Sequence, residues 1–330
     1  MEKILIIQTA SIGDVILATP LAEKLHHLFP KASIDFLVKK GNEPLFKDHP
    51  FLHATLVWDK GPGSFLNAVK CIRQIRLNRY NLVINVQRFF MTGLMTAFSK
   101  AALKTGFNKN PISFLFTGKI SHRIGDGIHE IDRNLALIEE FQNPASGIKY
   151  LPRLYPSPDD IQKSVPYKTK PYYTLSPASL WFTKQFPADQ WVRLIKQIPE
   201  DTPVYLLGAP NDHLLCEEIR LQSKHPKTIN LSGKLSLLQS ASLMQDARMN
   251  FTNDSAPLHL ASSVNAPITV IYCSTVPEFG FGPLSTNAAI VQIPEKLPCR
   301  PCGLHGYPQC PENHFRCATA IPMELLIKRM

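Results

Sequence analysis

The sequence predicts an α/β protein built from two successive domains, each a parallel sheet covered by helices on both faces. Three observations carry that prediction. Apolar runs of strand length alternate with stretches of helical periodicity, a proline-rich stretch interrupts the alternation, and the same rhythm then restarts.

Taken in order, Ile4–Gln8 reads as a buried strand and a helix follows through Asp14–Leu28. Ser33–Val38 and Leu56–Trp58 are further strands, a helix lies near Phe65–Leu77, and Leu82–Val86 is again a strand. Tyr150–Tyr173 carries five prolines and little periodicity, as a linker would, so the domains are expected to span 1–160 and 161–330. Beyond it, Tyr173–Leu175, Val204–Leu207, Ile229–Leu231, Met249–Thr252 and Ile268–Tyr272 are short strands. Helices such as Ala188–Gln197 and Leu237–Asp246 separate them. Two such domains place the expected site at the carboxyl ends of the strands, in the cleft between them.

A hydrophobic content of 44% with 19% charged residues describes a globular chain, and no apolar run reaches the roughly 20 residues of a bilayer span. Lys3 before an apolar run imitates a signal peptide, but Asp14 interrupts that run and the helical pattern continues past Pro20, so a cytoplasmic protein is expected. The formal charge of +10 is uneven. From Lys60 to Arg123 there are eleven Lys or Arg and no Asp or Glu, which suits an anionic partner such as lipid phosphate or nucleic acid. Seven cysteines argue against a full disulfide framework in a chain with no export signal.

Three stretches follow strands and could carry chemistry. In "QTASIGD" a turn of small residues precedes a helix. Ser11 and Asp14 fit helix caps, while Gly13 allows close approach of a ligand. The stretch matches neither the dinucleotide fingerprint nor the Walker phosphate loop. In "LSPASLWFTKQFPADQW" the strand runs into Ser179, Thr183 and Lys184, and the lysine is placed to neutralise a phosphate unless it is a solvated surface group. In "MNFTNDSAPLHLASS" Asp254 and Ser255 can cap a helix that Pro257 opens, where free N–H groups make an anion site. His259 lies just inside that helix, where packing is its alternative role.

These blocks, with "YNLVINVQ" (Tyr80–Gln87) and the late "CRPCG…CPENHFRC", occur in one order along nearly the whole chain. In that order they resemble glycosyltransferase family 9, the ADP-heptose:lipopolysaccharide heptosyltransferases. The resemblance implies a GT-B fold, two Rossmann-like domains with sheets facing across a cleft. Acceptor would bind the first domain and nucleotide sugar the second, with transfer that inverts the anomeric centre. It implies Asp14 as the base that deprotonates the acceptor hydroxyl. It assigns stabilisation of the departing ADP to Lys184 with the helix N-terminus at Asp254–Ala256, although the family pattern has Gly where this chain has Ala256. Ser11, Gly13, Gln87, Ser179, Thr183, Asp254, Ser255, Ala256 and His259 are the implied substrate contacts. The metal-binding Asp-x-Asp pair of the other glycosyltransferase fold is absent from the sequence, so no catalytic metal or other cofactor is expected.

Arg73, Arg76 and Arg79, spaced on one side of the helix near Phe65–Leu77, and Arg88 at the head of the apolar "RFFMTGLMTAF" are expected to meet the phosphorylated lipid-linked acceptor and the anionic membrane surface. The alternative makes them a solvated face beside a core helix. Cys299, Cys302, Cys310 and Cys317 fit either a structural zinc knuckle or reduced, packed thiols, or one reversible disulfide. The leading expectation is heptosyl transfer from ADP-heptose to the lipopolysaccharide inner core, by a monomer peripherally attached to the cytoplasmic face of the membrane. The alternatives are transfer of another activated sugar to a different envelope glycan, and a nucleic-acid-binding module using residues 60–123. That segment lacks a helix-turn-helix or an RNP aromatic signature, so no nucleic acid is expected.

Overall fold

The computed structural model describes residues 1–141, 147–168 and 171–330, and the chain divides into two compact units, Met1–Tyr155 and Pro156–Met330. In the first unit β1 (Lys3–Ile7), β2 (Ser33–Lys39), β3 (Leu52–Trp58), β4 (Leu82–Asn85), β5 (Leu103–Phe107) and β6 (Gly118–Ile120) form a single sheet in the order β3-β2-β1-β4-β5-β6. Every pairing is parallel. The strand order reverses at β1, where Ile7 is level with Leu37 on one side and Asn85 on the other. Chain leaving β1 and chain leaving β4 therefore emerge side by side at the carboxyl edge, the usual place for a ligand in a doubly wound sheet.

Helix α1 (Ile12–Leu28) crosses this switch point and is buried along most of its length. Pro20 lies in its interior and cannot donate to the Ile16 carbonyl. The Thr19 hydroxyl donates to that carbonyl instead, at 2.7 Å, so the helix continues past the proline. Helix α2 (Ser64–Asn78) buries Ala68, Cys71 and Ile75 against the sheet, and α3 (Phe90–Ala97) packs beside it. Helix α4 (Glu130–Leu135) is tied to α1 by Asn134, whose Nδ2 donates to the Leu17 carbonyl at 3.1 Å.

The second unit opens with α5 (Pro158–Ser164), formed inside the expected linker. Ser157 and Asp160 make a reciprocal capping box around Pro158, and Ser164 bonds Ser242, so this stretch belongs to the second unit's fold. Thr169 and Lys170 of that linker lie outside the described residues. Next come β7 (Tyr173–Ser176), α6 (Ala188–Ile195), β8 (Val204–Leu206), α7 (His213–Ser223), β9 (Thr228–Asn230) and α8 (Leu237–Gln245). They are followed by β10 (Met249–Asn253), α9 (Ala256–Ser263), β11 (Ile268–Tyr272) and β12 (Ala288–Gln292). The sheet order β12-β11-β10-β7-β8-β9 repeats that of the first unit, again wholly parallel. Its switch point lies between β7 and β10. Trp191, Phe186 and Phe251 fill the core, which the closing helices α10 (Arg316–Thr319) and α11 (Met323–Ile327) complete with Cys317, Ala318 and Leu326.

Candidate active site

The first unit's switch point is built by the turn Gln8–Ser11. Asp14 stands at the third position of α1 and reaches back to the helix cap. Its Oδ2 accepts from the Ser11 N–H at 3.1 Å and from the Ser11 hydroxyl at 2.5 Å. The capping role and a chemical role are therefore compatible, because both bonds fall on one carboxylate oxygen. Gly13 is buried within the first helical turn.

The turn is held from three sides. Lys60 Nζ donates to the Thr9 carbonyl at 2.7 Å, Asn42 Nδ2 donates to the Ala10 carbonyl at 3.0 Å, and Gln87 Nε2 donates to Gln8 Oε1. Gln87 is itself fixed, its N–H donating to Asn85 Oδ1 at 2.9 Å and its carbonyl accepting from Asn110. Among the described residues three buried polar atoms in this corner have no protein partner: Thr9 Oγ1, Asn85 Nδ2 and Gln87 Oε1. Buried polar groups are normally satisfied, so such a group of orphans suits a polar ligand or water. Gln8, Asn85, Asn42 and Lys60 were not singled out from sequence, and only their neighbours in space reveal them.

Arg88 follows Gln87 at this carboxyl edge. Arg73, Arg76 and Arg79 do not join it. Arg79 and Tyr80 lead into the amino end of β4, so the structure separates these three arginines from Asp14 by the length of the sheet.

At the second switch point Lys184 Nζ lies 2.7 Å from Asp254 Oδ2, and the Thr275 hydroxyl donates to the same oxygen at 2.6 Å. The pair is largely buried, with side-chain exposures of 16% for Lys184 and 9% for Asp254. Lys184 is thus held in place by a carboxylate, contrary to the solvated-surface alternative. Ser255 stands at the N-cap position of α9, but its hydroxyl makes no capping bond there and instead faces the Ala178 carbonyl at 3.5 Å; the first turn of α9 contains no acid, and its first N–H belongs to Ala256. Ser179 sits half-buried nearby in sequence, its carbonyl accepting from Gln185, while His259 is buried within α9. Asn253 staples the loop in place: its Nδ2 donates to the Pro177 carbonyl at 2.7 Å and its Oδ1 accepts from the Phe186 N–H at 3.0 Å.

Thr183 differs from the expected substrate contact. It is fully buried; its Oγ1 accepts from the Tyr307 N–H at 2.8 Å and from Ser274 at 3.0 Å, which makes it a brace. Gly306 packs on it so closely that an added Cβ would meet Thr183 Oγ1 at 2.9 Å and Lys184 Cγ at 3.1 Å. The late cysteine-rich stretch therefore buttresses the lysine through its backbone.

All four of its cysteines are free thiols. Cys317 sits in the core on α10, its thiol pushed up to about 12 by burial and then by Cys302 and Cys310. Among the described residues no three His, Cys, Asp or Glu side chains are arranged to hold a metal ion, so these residues do not fit the zinc knuckle that their spacing allowed.

The family model for glycosyltransferase family 9 (heptosyltransferase) matches residues 68–306. The lipooligosaccharide heptosyltransferase 2 of Haemophilus ducreyi is 26% identical over 311 residues, covering 88% of each chain. The lipopolysaccharide heptosyltransferase 3 of Escherichia coli is 26% identical over 285 residues, covering 80% of each. In three dimensions the chain superposes on the E. coli ADP-heptose lipopolysaccharide heptosyltransferase II with a TM-score of 0.80 at 21% identity, over 99% of this chain and 97% of that one. The two doubly wound units are thus those of the GT-B fold, and the chain belongs to glycosyltransferase family 9, the heptosyltransferases.

Proposed function

We propose that this enzyme is an inverting glycosyltransferase that moves heptose from ADP-heptose to the inner core of lipopolysaccharide, with the first unit taking the acceptor and the second the donor. Two relatives are named as heptosyltransferases of lipooligosaccharide and lipopolysaccharide, which supports the sugar and the acceptor class. The observation that supports it best is the Asp14 carboxylate, fixed at the first switch point, among the described residues, through Oδ2. Its other oxygen, Oδ1, is left to take a proton. The acceptor hydroxyl oxygen attacks the anomeric carbon and its proton passes to Oδ1. The bond from that carbon to the β-phosphate oxygen breaks on the opposite face, its electron pair leaving with ADP, and the anomeric centre inverts.

Charge then builds on the diphosphate. Lys184 and the Ala256 N–H are the groups that meet it, and the Asp254–Thr275 arrangement keeps the ammonium in position before substrate arrives. We assign Ser179, Ser255 and His259 to the same donor half, and Ser11, Gln87 and Arg88 to the acceptor half. The enzyme works as a peripheral protein at the cytoplasmic face of the membrane. Among the described residues no helix is long and apolar enough to cross it.

A donor screen tests the reading. Nucleotide diphosphate release is measured with purified lipopolysaccharides of defined truncation; release from ADP-heptose is expected, and no release from any nucleotide-heptose overturns it.

A further inference from the structure

A recess of about 820 Å³ opens on the first unit, away from Asp14. Arg73, Arg76 and Leu77 of α2 line it, together with Arg79 and Tyr80 just after that helix and Lys100 just after α3. Tyr80 runs into β4 and Lys100 leads toward β5, so the recess sits at the amino edge of the sheet. Gln8, Ser11 and Gln87 leave the carboxyl edge.

Among the described residues no acid lines the recess. Asp35, which lies behind its wall, already accepts from the Tyr80 hydroxyl and faces His53 Nδ1 at 3.0 Å. Among the described residues none of the four cations has an ion pair or a side-chain hydrogen bond. Arg79 and Lys100 moreover hold left-handed backbone, with φ of 54° and 63°. Glycine or asparagine would adopt that conformation at least cost, yet both positions carry a long cation aimed at the same recess. Attraction to the carboxyl ends of α2 and α3 accounts for one charge at each end, not for four around one opening. Beside them the aliphatic side chains of Val69 and Leu77 stand 48% and 72% exposed.

We propose that this recess docks the phosphate headgroups of an anionic bilayer, apart from the acceptor site around Asp14. Guanidinium groups pair bidentately with phosphate oxygens, and Val69 and Leu77 would be covered at the headgroup boundary. A polynucleotide fits less well: Tyr80 is buried, which leaves no aromatic face in the recess on which a base can stack.

The proposal stands without the heptosyl reading, since vesicle binding is measured on the resting protein. The full chain is sedimented with vesicles of phosphatidylcholine plus phosphatidylglycerol, and of phosphatidylcholine alone. Binding only to the mixed vesicles is expected. The pair Arg79→Gly and Lys100→Gly relieves the left-handed strain, so its melting temperature should hold or rise while vesicle affinity falls roughly thirtyfold, at about fivefold for each basic residue lost. Arg73→Gln with Arg76→Gln should weaken binding to a similar extent. In a separate assay a soluble, truncated acceptor should keep its KM in both variants. Equal binding to both vesicle types overturns the proposal, as does undiminished binding by folded variants. So does tighter binding of a single-stranded oligonucleotide that the same variants lose. A raised KM for the soluble acceptor would instead merge the recess with the acceptor site and overturn its separateness.

Discussion

Replacing Asp14 by Asn separates the carboxylate's two roles. The Asn carbonyl oxygen can accept the same two bonds from Ser11 that Asp14 Oδ2 accepts at 3.1 Å and 2.5 Å. Asn is as good a partner as Asp at a helix start, so what the fold loses is the attraction of a full charge to the helix dipole, about 0.3–1 kcal/mol. In a unit of this size that lowers Tm by roughly 4 °C at most. The oxygen that would take the proton is replaced by an NH₂ group, which cannot. A general base contributes typically 10²–10⁴-fold, so kcat should fall by about that factor while ADP-heptose affinity stays within a fewfold of wild type. ADP release under saturating donor, thermal melting and calorimetric donor titration measure the three quantities on one preparation. Turnover within a few fold of wild type would return Asp14 to the role of helix cap. Loss of turnover in proportion to unfolded protein would refute the assignment equally.

Lys184→Ala should weaken donor binding and turnover together, because the diphosphate loses its cation and meets the bared carboxylate of Asp254, which keeps the Thr275 hydroxyl but no cation among the described residues. Removing Asp254 as well should recover part of the donor affinity, and an unchanged donor affinity in Lys184→Ala would sink the phosphate role. EDTA should leave transfer intact, since Lys184 and the α9 N-terminus are assigned to the phosphates; loss restored by Mg²⁺ would show that a metal does that work. His49, packed edge-on against Phe51 at 4.5 Å and Tyr155 at 4.8 Å, is held neutral down to about 4 by burial and by nearby His26, against an ordinary 6.5. Between those values the unfolded chain binds a proton that the folded one does not. Stability should therefore fall as pH drops from 6.5 toward 4 and level off below, and His49→Gln should flatten that limb in urea melts; an identical slope in the variant would exclude His49 as its source.

The central strands were legible because a parallel sheet buries both faces of its middle members. Ile4–Ile7 and Leu82–Asn85 are apolar or buried throughout. Toward the edges the signal weakens: of the edge strands β3 and β9 are read, β3 only over its last three residues, while others are not. Residues 103–107 read Leu-Lys-Thr-Gly-Phe, with only the last three buried, and residues 288–292 are mostly half-buried, so β5, β6 and β12 went unread. The helix inside the proline-rich stretch was hidden for the opposite reason: Pro158 looked like a breaker but occupies the first helical turn, where its missing N–H costs nothing. The site divides the same way. Ser11 with Asp14, and Asp254 with Ser255 and Ala256, are local cap patterns that a reader of sequence can find. Thr275, 21 residues beyond Asp254, and Tyr307, 124 residues beyond Thr183, come into contact only through the fold.

The two switch points share a topology and differ in one electrostatic respect. In α1 the first turn contains Asp14, so the chain's own carboxylate occupies the place where a helix N-terminus would attract an anion. In α9 the first turn has no acid. The carboxylate just ahead of it, Asp254, is countered by Lys184 and bonded by Thr275, which leaves the helix dipole and the Ala256 N–H directed outward and unopposed. The start of α9 is therefore the better place for a diphosphate, and the start of α1 the poorer one. A neutral sugar hydroxyl has the reverse preference, because the carboxylate at α1 has no cation paired with it among the described residues, whereas Asp254 at α9 is paired with Lys184. Under the proposed function, an acid at the third position of one helix and none in the first turn of the other suits two copies of the same fold to opposite halves of the transfer reaction.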